Sequence, residues 1–245
     1  MVQRGLARAM EKALQREKEG ILGHPKSPLH RFRSQRRIRL FSLICRRPCL
    51  NLSSLKNELG WDMGTLRWHM DVLLDTSLAE ERKRGGSRVV FPARLLDDHD
   101  VSALTLLQDN SNLSVLVDCM QVPGIQTSEL KVKGRLSPPT VRRRIDRMGE
   151  AGFLRKIRDG SGLRLYPGPN LDAVMAGSTD HVRRQNFMAV LLSTLESDGA
   201  EPKILRSTDT ELHISLKMRS GRDTMIISTE PYGWIKDQLT GSRHT

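Results

Sequence analysis

The sequence has few of the residues that indicate a disulfide-stabilised domain or a large β core. Its 245 residues include three cysteines, and aromatic residues make up 4%. Cys45, Cys49 and Cys119 are too few for a disulfide framework or a four-cysteine zinc site. We expect them to be small buried hydrophobes. A metal or redox role shared by Cys45 and Cys49, which are four residues apart, is the alternative.

The signals of membrane insertion and of enzyme chemistry are also absent from the sequence. No run of eighteen apolar residues could cross a bilayer, and the first twenty residues lack the apolar segment of a signal peptide. A Gly-rich phosphate loop, an HExxH motif and a convincing carboxylate pair are missing. We therefore predict a cytoplasmic protein that is not an enzyme, with no catalytic residue, cofactor or metal.

Positive charge is what the chain has in excess. Its formal net charge is +12, from 40 Lys and Arg against 28 Asp and Glu. Residues 1–39 alone hold eleven Lys or Arg and three Glu, a net charge of +8. Such an excess favours an anionic partner, with nucleic acid ahead of a membrane surface.

An internal repeat appears when the sequence is compared with itself at an offset of 75 residues. Four of the identities are Pro48 with Pro123, Thr65 with Thr140, Arg67 with Arg142, and Asp71 with Asp146. Similar apolar residues fill the positions between them, without a gap from about 38 to 92. The pattern indicates two copies of one module.

Each copy predicts three helices followed by a β-hairpin, which is a winged helix-turn-helix. The first helix (38–46; 113–121) ends before a proline. A short second helix follows, and Leu130 faces inward in copy two. Asn51 and Asp62 are predicted helix caps in copy one, as Ser137 is in copy two. The hairpin strands are predicted at 79–82 and 88–91, and at 154–158 and 163–166.

Both copies resemble known DNA-binding modules. GTLRWHMDVL, followed by a basic glycine hairpin ending in VVFPA, resembles the ArsR-type winged helix common in archaeal transcription regulators. PGIQTSEL and LSPPTVRRRIDRMGEAGFL of copy two resemble a MarR-type or ArsR-type module. The resemblance covers about 38–167 and implies DNA binding. The cysteine pattern of ArsR metal sensors is missing, so the resemblance implies no metal sensing.

The third helix of such a module enters the major groove, where the forked guanidinium of arginine can bind guanine. In copy two, Val141, Ile145 and Met148 have the spacing of a core face, which leaves Arg143 and Arg147 outward and Arg142 beside them. Arg144 is expected to lie over the second helix. The alternative is a solvated charged face without a ligand.

The hairpins add cations that would contact backbone phosphates. Trp68 could stack on DNA or pack on the neighbouring copy, and His69 is expected to be packed. The predicted DNA-binding residues are Thr65, Arg67, Trp68, Arg82, Lys83, Arg84, Arg88, Thr140, Arg142, Arg143, Arg147, Lys156, Arg158 and Arg164.

The predicted fold is therefore mainly α with small β wings. It consists of two tandem winged helix-turn-helix domains and a small C-terminal α+β domain. The domains are a basic N-terminal helical arm (1–37), winged helix 1 (38–92), a partly helical connector (93–111), winged helix 2 (112–167) and an α+β domain of unknown role (171–245). The arm could attract DNA through its charge or form a dimer.

These features predict a sequence-specific regulator of transcription that binds double-stranded DNA. Two other functions remain open, namely a winged-helix scaffold for protein interactions and an accessory factor in replication or chromosome organisation. A homodimer could form through the N-terminal helix or the C-terminal domain.

Overall fold

A computed structural model describes residues 32–132, 136–160, 162–176, 180–218 and 221–241. The prediction for the basic arm falls mostly on residues 1–31, which lie outside this range. The helices are α1 (Gln35–Arg46), α2 (Leu52–Leu59), α3 (Met63–Leu74), α4 (Asp98–Leu107), α5 (Asn110–Gln121), α6 (Pro138–Glu150), α7 (Pro169–Ala176), α8 (His181–Ser197) and α9 (Gly233–Thr240). The strands are β1 (Leu50–Asn51), β2 (Ala79–Arg84), β3 (Ser87–Pro92), β4 (Ile125–Gln126), β5 (Leu154–Asp159), β6 (Gly162–Pro167), β7 (Lys203–Ser207), β8 (Glu211–Met218) and β9 (Gly221–Ser228).

Two segments of the chain contain corresponding helices and strands at the same spacing. We call α1 to β3 the first module and α5 to β6 the second module. Helices α1 and α5, α3 and α6, strands β1 and β4, and both hairpin strands begin 75 residues apart. The structural offset equals the offset found in the sequence.

The predicted caps of the first module are present. The Asn51 side chain accepts a hydrogen bond from the Ser54 amide at the start of α2, and Asp62 accepts one from the Thr65 amide at the start of α3. Each cap satisfies an amide that has no partner within the helix. Hairpin 1 (β2 and β3) turns at Gly85 and Gly86, whose φ angles of 56° and 85° favour glycine.

The second module departs from the prediction at its second helix. Residues 127–132 form turns, although Leu130 is buried as expected. The Lys131 amide donates to the carboxylate of Asp118, a buried residue of α5, at 2.8 Å. This bond replaces the helical hydrogen bond that the amide would otherwise make.

The prediction of a mainly α chain with small β wings is wrong. About 50% of the described residues are helical and about 25% are in strands, which form three three-stranded antiparallel sheets. Strands β1 and β4 each add a third strand to a hairpin, in the orders β1-β3-β2 and β4-β6-β5. Near the C-terminus β7, β8 and β9 form a complete sheet. The two-residue strands β1 and β4 are too short to show a period-2 pattern in the sequence.

The predicted small C-terminal α+β domain also needs correction, because its apolar residues do not form a separate core. Phe187 and Leu191 of α8 and Ile214 of β8 share one core with Phe41 and Ile44 of α1. Helix α9 packs into the second module instead. The C-terminal segment therefore completes both modules.

Helix α4 connects the modules through a second continuous core. Val101, Leu104 and Leu107 of α4 are fully buried. They belong to a cluster that holds Phe91 of hairpin 1 and Leu116 of α5. This core places hairpin 1 against the second module. Among the described residues, no helix is long and apolar enough to cross a membrane.

Shortening Leu191 tests the core shared by the first module and the C-terminal segment. We expect Leu191→Ala to lower the free energy of unfolding by about 2–5 kcal/mol, because it leaves a cavity at a fully buried site. Chemical denaturation followed by circular dichroism measures the change. Glu196→Ala, at an exposed position of the same helix, is the control. A loss below about 0.5 kcal/mol, the range of ordinary surface substitutions, would contradict the shared core.

Candidate nucleic-acid interface

Helix α6 presents one apolar face and one cationic face. Val141, Ile145 and Met148 are buried, as their spacing predicts. On the other side Arg142, Arg143 and Arg147 are exposed. Within the described residues, none of these three guanidinium groups makes a hydrogen bond or an ion pair. They are therefore free to bind an external acceptor.

Arg144 lies at the edge of the core, but its partner is not the predicted second helix. Its guanidinium donates to the carboxylate of Asp109 and, at 3.0 Å, to the side-chain oxygen of Asn112. Both partners lie at the start of α5. The contact with a second helix is missing because residues 127–132 form turns.

Helix α3 is less cationic than α6. Arg67 is exposed and has no partner among the described residues. Trp68 is 45% exposed, with the Arg37 guanidinium 5.5 Å from its ring centre and the His69 ring 4.6 Å away. The sequence left two environments open for Trp68, namely stacking on DNA and packing on the neighbouring copy. In the structure the ring packs on residues of its own module instead. The exposed part of the ring remains accessible.

The two predicted threonines take part in helix starts. The Thr65 hydroxyl donates to Asp62 at 2.5 Å. The Thr140 hydroxyl lies 2.9 Å from the hydroxyl of Ser137. Ser137 makes no side-chain hydrogen bond to the backbone at the start of α6, so its predicted capping bond is not observed.

In hairpin 1 most of the cations have carboxylate partners. Asp98 at the start of α4 pairs with Arg82 and, at 3.2 Å, with Arg84. Arg88 pairs with Glu81 at 2.9 Å. Lys83 is exposed and has no partner in the described part of the chain. Hairpin 1 therefore has much less unpaired charge than its sequence indicates.

In hairpin 2 (β5 and β6) two of the three predicted cations are paired. Lys156 contacts Asp146 of α6 at 2.7 Å, and this hydrogen bond is the main reason why the pKa of Asp146 lies below its usual value. Arg164 pairs with Asp159 at 2.5 Å. Arg158 is exposed, with no partner among the residues described.

The predicted cations thus fall into two groups. The exposed cations without a partner in the described ranges are Arg67, Lys83, Arg142, Arg143, Arg147 and Arg158. The cations held in ion pairs are Arg82, Arg84, Arg88, Lys156 and Arg164.

Two surface depressions bring several of these residues together. A groove of about 810 Å³ between α6 and hairpin 2 is lined by Arg142, Lys156 and Arg158. A cleft of about 360 Å³ is lined by Arg84 of hairpin 1 and by Arg143 and Arg147 of α6. Arg67 and Trp68 of α3 line neither depression.

Sequence reasoning missed Asp98 and Asp109, two carboxylates that pair with arginines far away in the chain. Asp98 is 14 residues from Arg84 and 16 from Arg82. Asp109 is 35 residues from Arg144. Pairs so far apart in the chain form only through the packing of α4 and α5, so local sequence carries no signal of them.

An acidic cluster beside α4 contains an arginine. Ligand atoms of Asp97, His99 and Asp100 lie within 4.8 Å of one another. Arg183 contacts Asp97 and Asp100 at 2.9 Å each, and the Tyr232 hydroxyl donates to Asp100 at 2.9 Å. The guanidinium thus supplies the positive charge that these two carboxylates require.

The three cysteines are buried, as the sequence predicts. Burial raises the pKa of Cys45 above its usual value and that of Cys49 and Cys119 to about 12. At neutral pH these groups are thiols, and a thiol is a poor nucleophile and metal ligand.

Comparison with known proteins adds little to this description. No protein-family model matches the chain, and no curated protein matches it. Among solved structures the chain is similar to T. acidophilum IdeR, with 14% sequence identity. The match covers 80% of this chain and 92% of that chain, at a TM-score of 0.19. A TM-score this low does not show that the two proteins share a fold or a function.

His69 is packed, as predicted, and this creates a dependence of stability on pH. The side chain is 5% exposed, and burial, followed by the charges of Arg37 and Arg36, lowers its pKa from 6.5 to about 4. The unfolded chain binds the proton near pH 6.5, whereas the folded chain resists it until pH 4. Stability is therefore lost as the pH falls through this interval.

Replacing His69 with phenylalanine should remove this part of the acid sensitivity. Between pH 6.5 and pH 4, we expect wild type to lose about 1–3 kcal/mol more unfolding free energy than His69→Phe. Urea denaturation at a series of pH values measures both proteins. His99→Gln, which changes an exposed histidine, is the control. Parallel pH profiles for wild type and His69→Phe would show that this account of His69 is wrong.

Proposed function

We propose that the protein is a sequence-specific, double-stranded DNA-binding regulator of transcription. Its two modules act as winged-helix reading heads, and α6 makes the main base contacts. The observation that carries this proposal is the set of three exposed, unpaired arginines on α6, opposite the buried face of the same helix.

The geometry of α6 suits the major groove of DNA. An α-helix fits that groove, and a forked guanidinium can make two hydrogen bonds to O6 and N7 of guanine. Arg143 and Arg147 are one helical turn apart, so they lie on the same side of α6. Because neither has a partner among the described residues, base contact would break no internal ion pair.

Helix α3 would be the weaker reader of the two. Arg67 is its one exposed cation, and the ring of Trp68 is partly covered by Arg37 and His69. The two heads would therefore recognise different half-sites, because Trp68 occupies the position that Arg143 has in α6.

The hairpins would position the protein on the DNA backbone. Lys83 and Arg158 are exposed and unpaired within the described ranges, and can contact phosphates directly. The paired cations can also contribute, because an exposed ion pair is typically worth only about 0–1 kcal/mol. A phosphate can therefore replace the carboxylate partner of Arg84 or Arg88. The formal charge of +12 would add attraction that is independent of sequence.

A scaffold role is the second candidate, and it applies to the first module. The observation that favours it is the pairing of Arg82, Arg84 and Arg88 with carboxylates. In that case α6 alone would read DNA, while α3 would face a protein partner. A homodimer formed through the N-terminal helix or the C-terminal region is compatible with either role, as is association with the nucleoid.

Removing the Arg143 side chain tests base reading by α6. We expect Arg143→Ala to weaken binding to a selected DNA site by about 1–3 kcal/mol and to relax preference at one base-pair position. Both effects follow from losing a two-bond contact to one base. Selection from a random DNA pool, followed by titration of the selected duplex, measures them.

The control for this test is Arg206→Ala. Arg206 is exposed on β7 and forms no ion pair within the described residues, so the control removes the same charge away from α6. It should leave base preference unchanged. An unaltered preference in Arg143→Ala would refute base reading by that residue, and equal losses in both variants would assign the effect to net charge.

A further inference from the structure

The cleft between the two modules is rich in arginine. Hairpin 1 contributes Arg84 to its lining, and α6 contributes Arg143, Arg144 and Arg147. Asp109 is the one carboxylate among the lining residues. The lining therefore carries an excess of three positive charges in a concave site of about 360 Å³.

Internal contacts leave much of this charge unused. Arg144 is engaged by Asp109, and Arg84 contacts Asp98 at 3.2 Å. Arg143 and Arg147 have no partner within the described residues. Like charges gathered in a concave surface repel one another, and they raise the local concentration of anions.

Two buried donor atoms of arginines that line the cleft also lack acceptors. The Nε atoms of Arg84 and Arg144 are shielded from solvent and make no hydrogen bond in the described part of the protein. Buried polar atoms of folded proteins nearly always have a partner, and an ion is one explanation when none is seen. An anion with several oxygens could bind the two unpaired guanidinium groups in the cleft.

We propose that this cleft is a phosphate-binding site shared by the two modules. The tetrahedral oxygens of a phosphate suit the forked donors of arginine, and a phosphate would bridge Arg84 of hairpin 1 to Arg147 of α6. The phosphate group can come from the DNA backbone or from a free phosphorylated compound. The DNA source rests on the proposed function, whereas the free source does not.

The site has a consequence for how the modules work together. Hairpin 1 and α6 belong to different modules, and the core around α4 places them beside each other. A phosphate held between them would connect the first module to the DNA segment that α6 reads. Occupation of the cleft by a free phosphate compound would compete with this contact.

The first arm of the test uses inorganic pyrophosphate and no DNA. Isothermal titration of the full chain at low salt should show saturable binding. Arg84→Gln and Arg147→Gln should each weaken it by about tenfold or more, the loss typical of a charged hydrogen bond. Arg206→Gln is the control for net charge. Equal weakening in all three variants, or no saturable binding, counts against a site for free phosphate.

The second arm is a double-mutant cycle on DNA affinity. Suppose that Arg84 and Arg147 hold one backbone phosphate. The fold-loss of DNA affinity in the double variant Arg84→Gln/Arg147→Gln should then be smaller than the product of the two single fold-losses, by about threefold or more. The matched control pairs Lys83→Gln with Arg147→Gln. Lys83 is on the same hairpin but does not line the cleft. The fold-loss of DNA affinity in this double variant should therefore equal the product of the two single fold-losses.

The two arms separate this proposal from the proposed function. Cleft-dependent binding of pyrophosphate supports the site even if the protein binds no DNA, and coupling in the DNA cycle supports the backbone as the source. If pyrophosphate does not bind in the cleft and the single losses of DNA affinity simply multiply in the double variant, the phosphate site is overturned. The reading of DNA by α6 is then unaffected. If the cleft binds no pyrophosphate and the protein binds no DNA, both proposals fail.

Discussion

The buried core around α4 is the constraint on which the arrangement of the interface depends. Val101, Leu104 and Leu107 are fully buried, and they join Phe91 of hairpin 1 to Leu116 of the second module. Burial of each such side chain stabilises the fold by about 1.5–3 kcal/mol. The connection between the modules is therefore a packed core, and hairpin 1 keeps a defined position beside α6.

The same helix determines which charges remain free. Asp98 at the start of α4 neutralises Arg82 and Arg84, while Asp97 and Asp100 hold Arg183 of α8. No carboxylate in the described ranges pairs with the outward arginines of α6. Although both modules are basic in sequence, α6 thus keeps more unpaired positive charge than hairpin 1.

Local sequence patterns predicted most helices and strands, because each depends on periodicity, caps or a glycine turn. The buried face of α6 and the hairpin turn at Gly85 and Gly86 are examples. The balance of α and β was mispredicted. The short strands β1 and β4 were also missed, because they are strands only through pairing with residues 38 to 40 positions away. The candidate site was predicted by residue type, but the pairing of Arg84 with Asp98 depends on tertiary packing and left no trace in the sequence.

We propose that α6 reads DNA as a head separate from α3. Hydroxyl-radical footprinting on a selected DNA site tests it most directly, with Arg67→Ala and Arg143→Ala compared with wild type. We expect two protected patches for wild type, about 10–10.5 base pairs apart if both heads dock on one side of the duplex. Arg143→Ala should lose one patch and retain the other. A footprint that Arg143→Ala leaves unchanged would contradict the reading of DNA by α6.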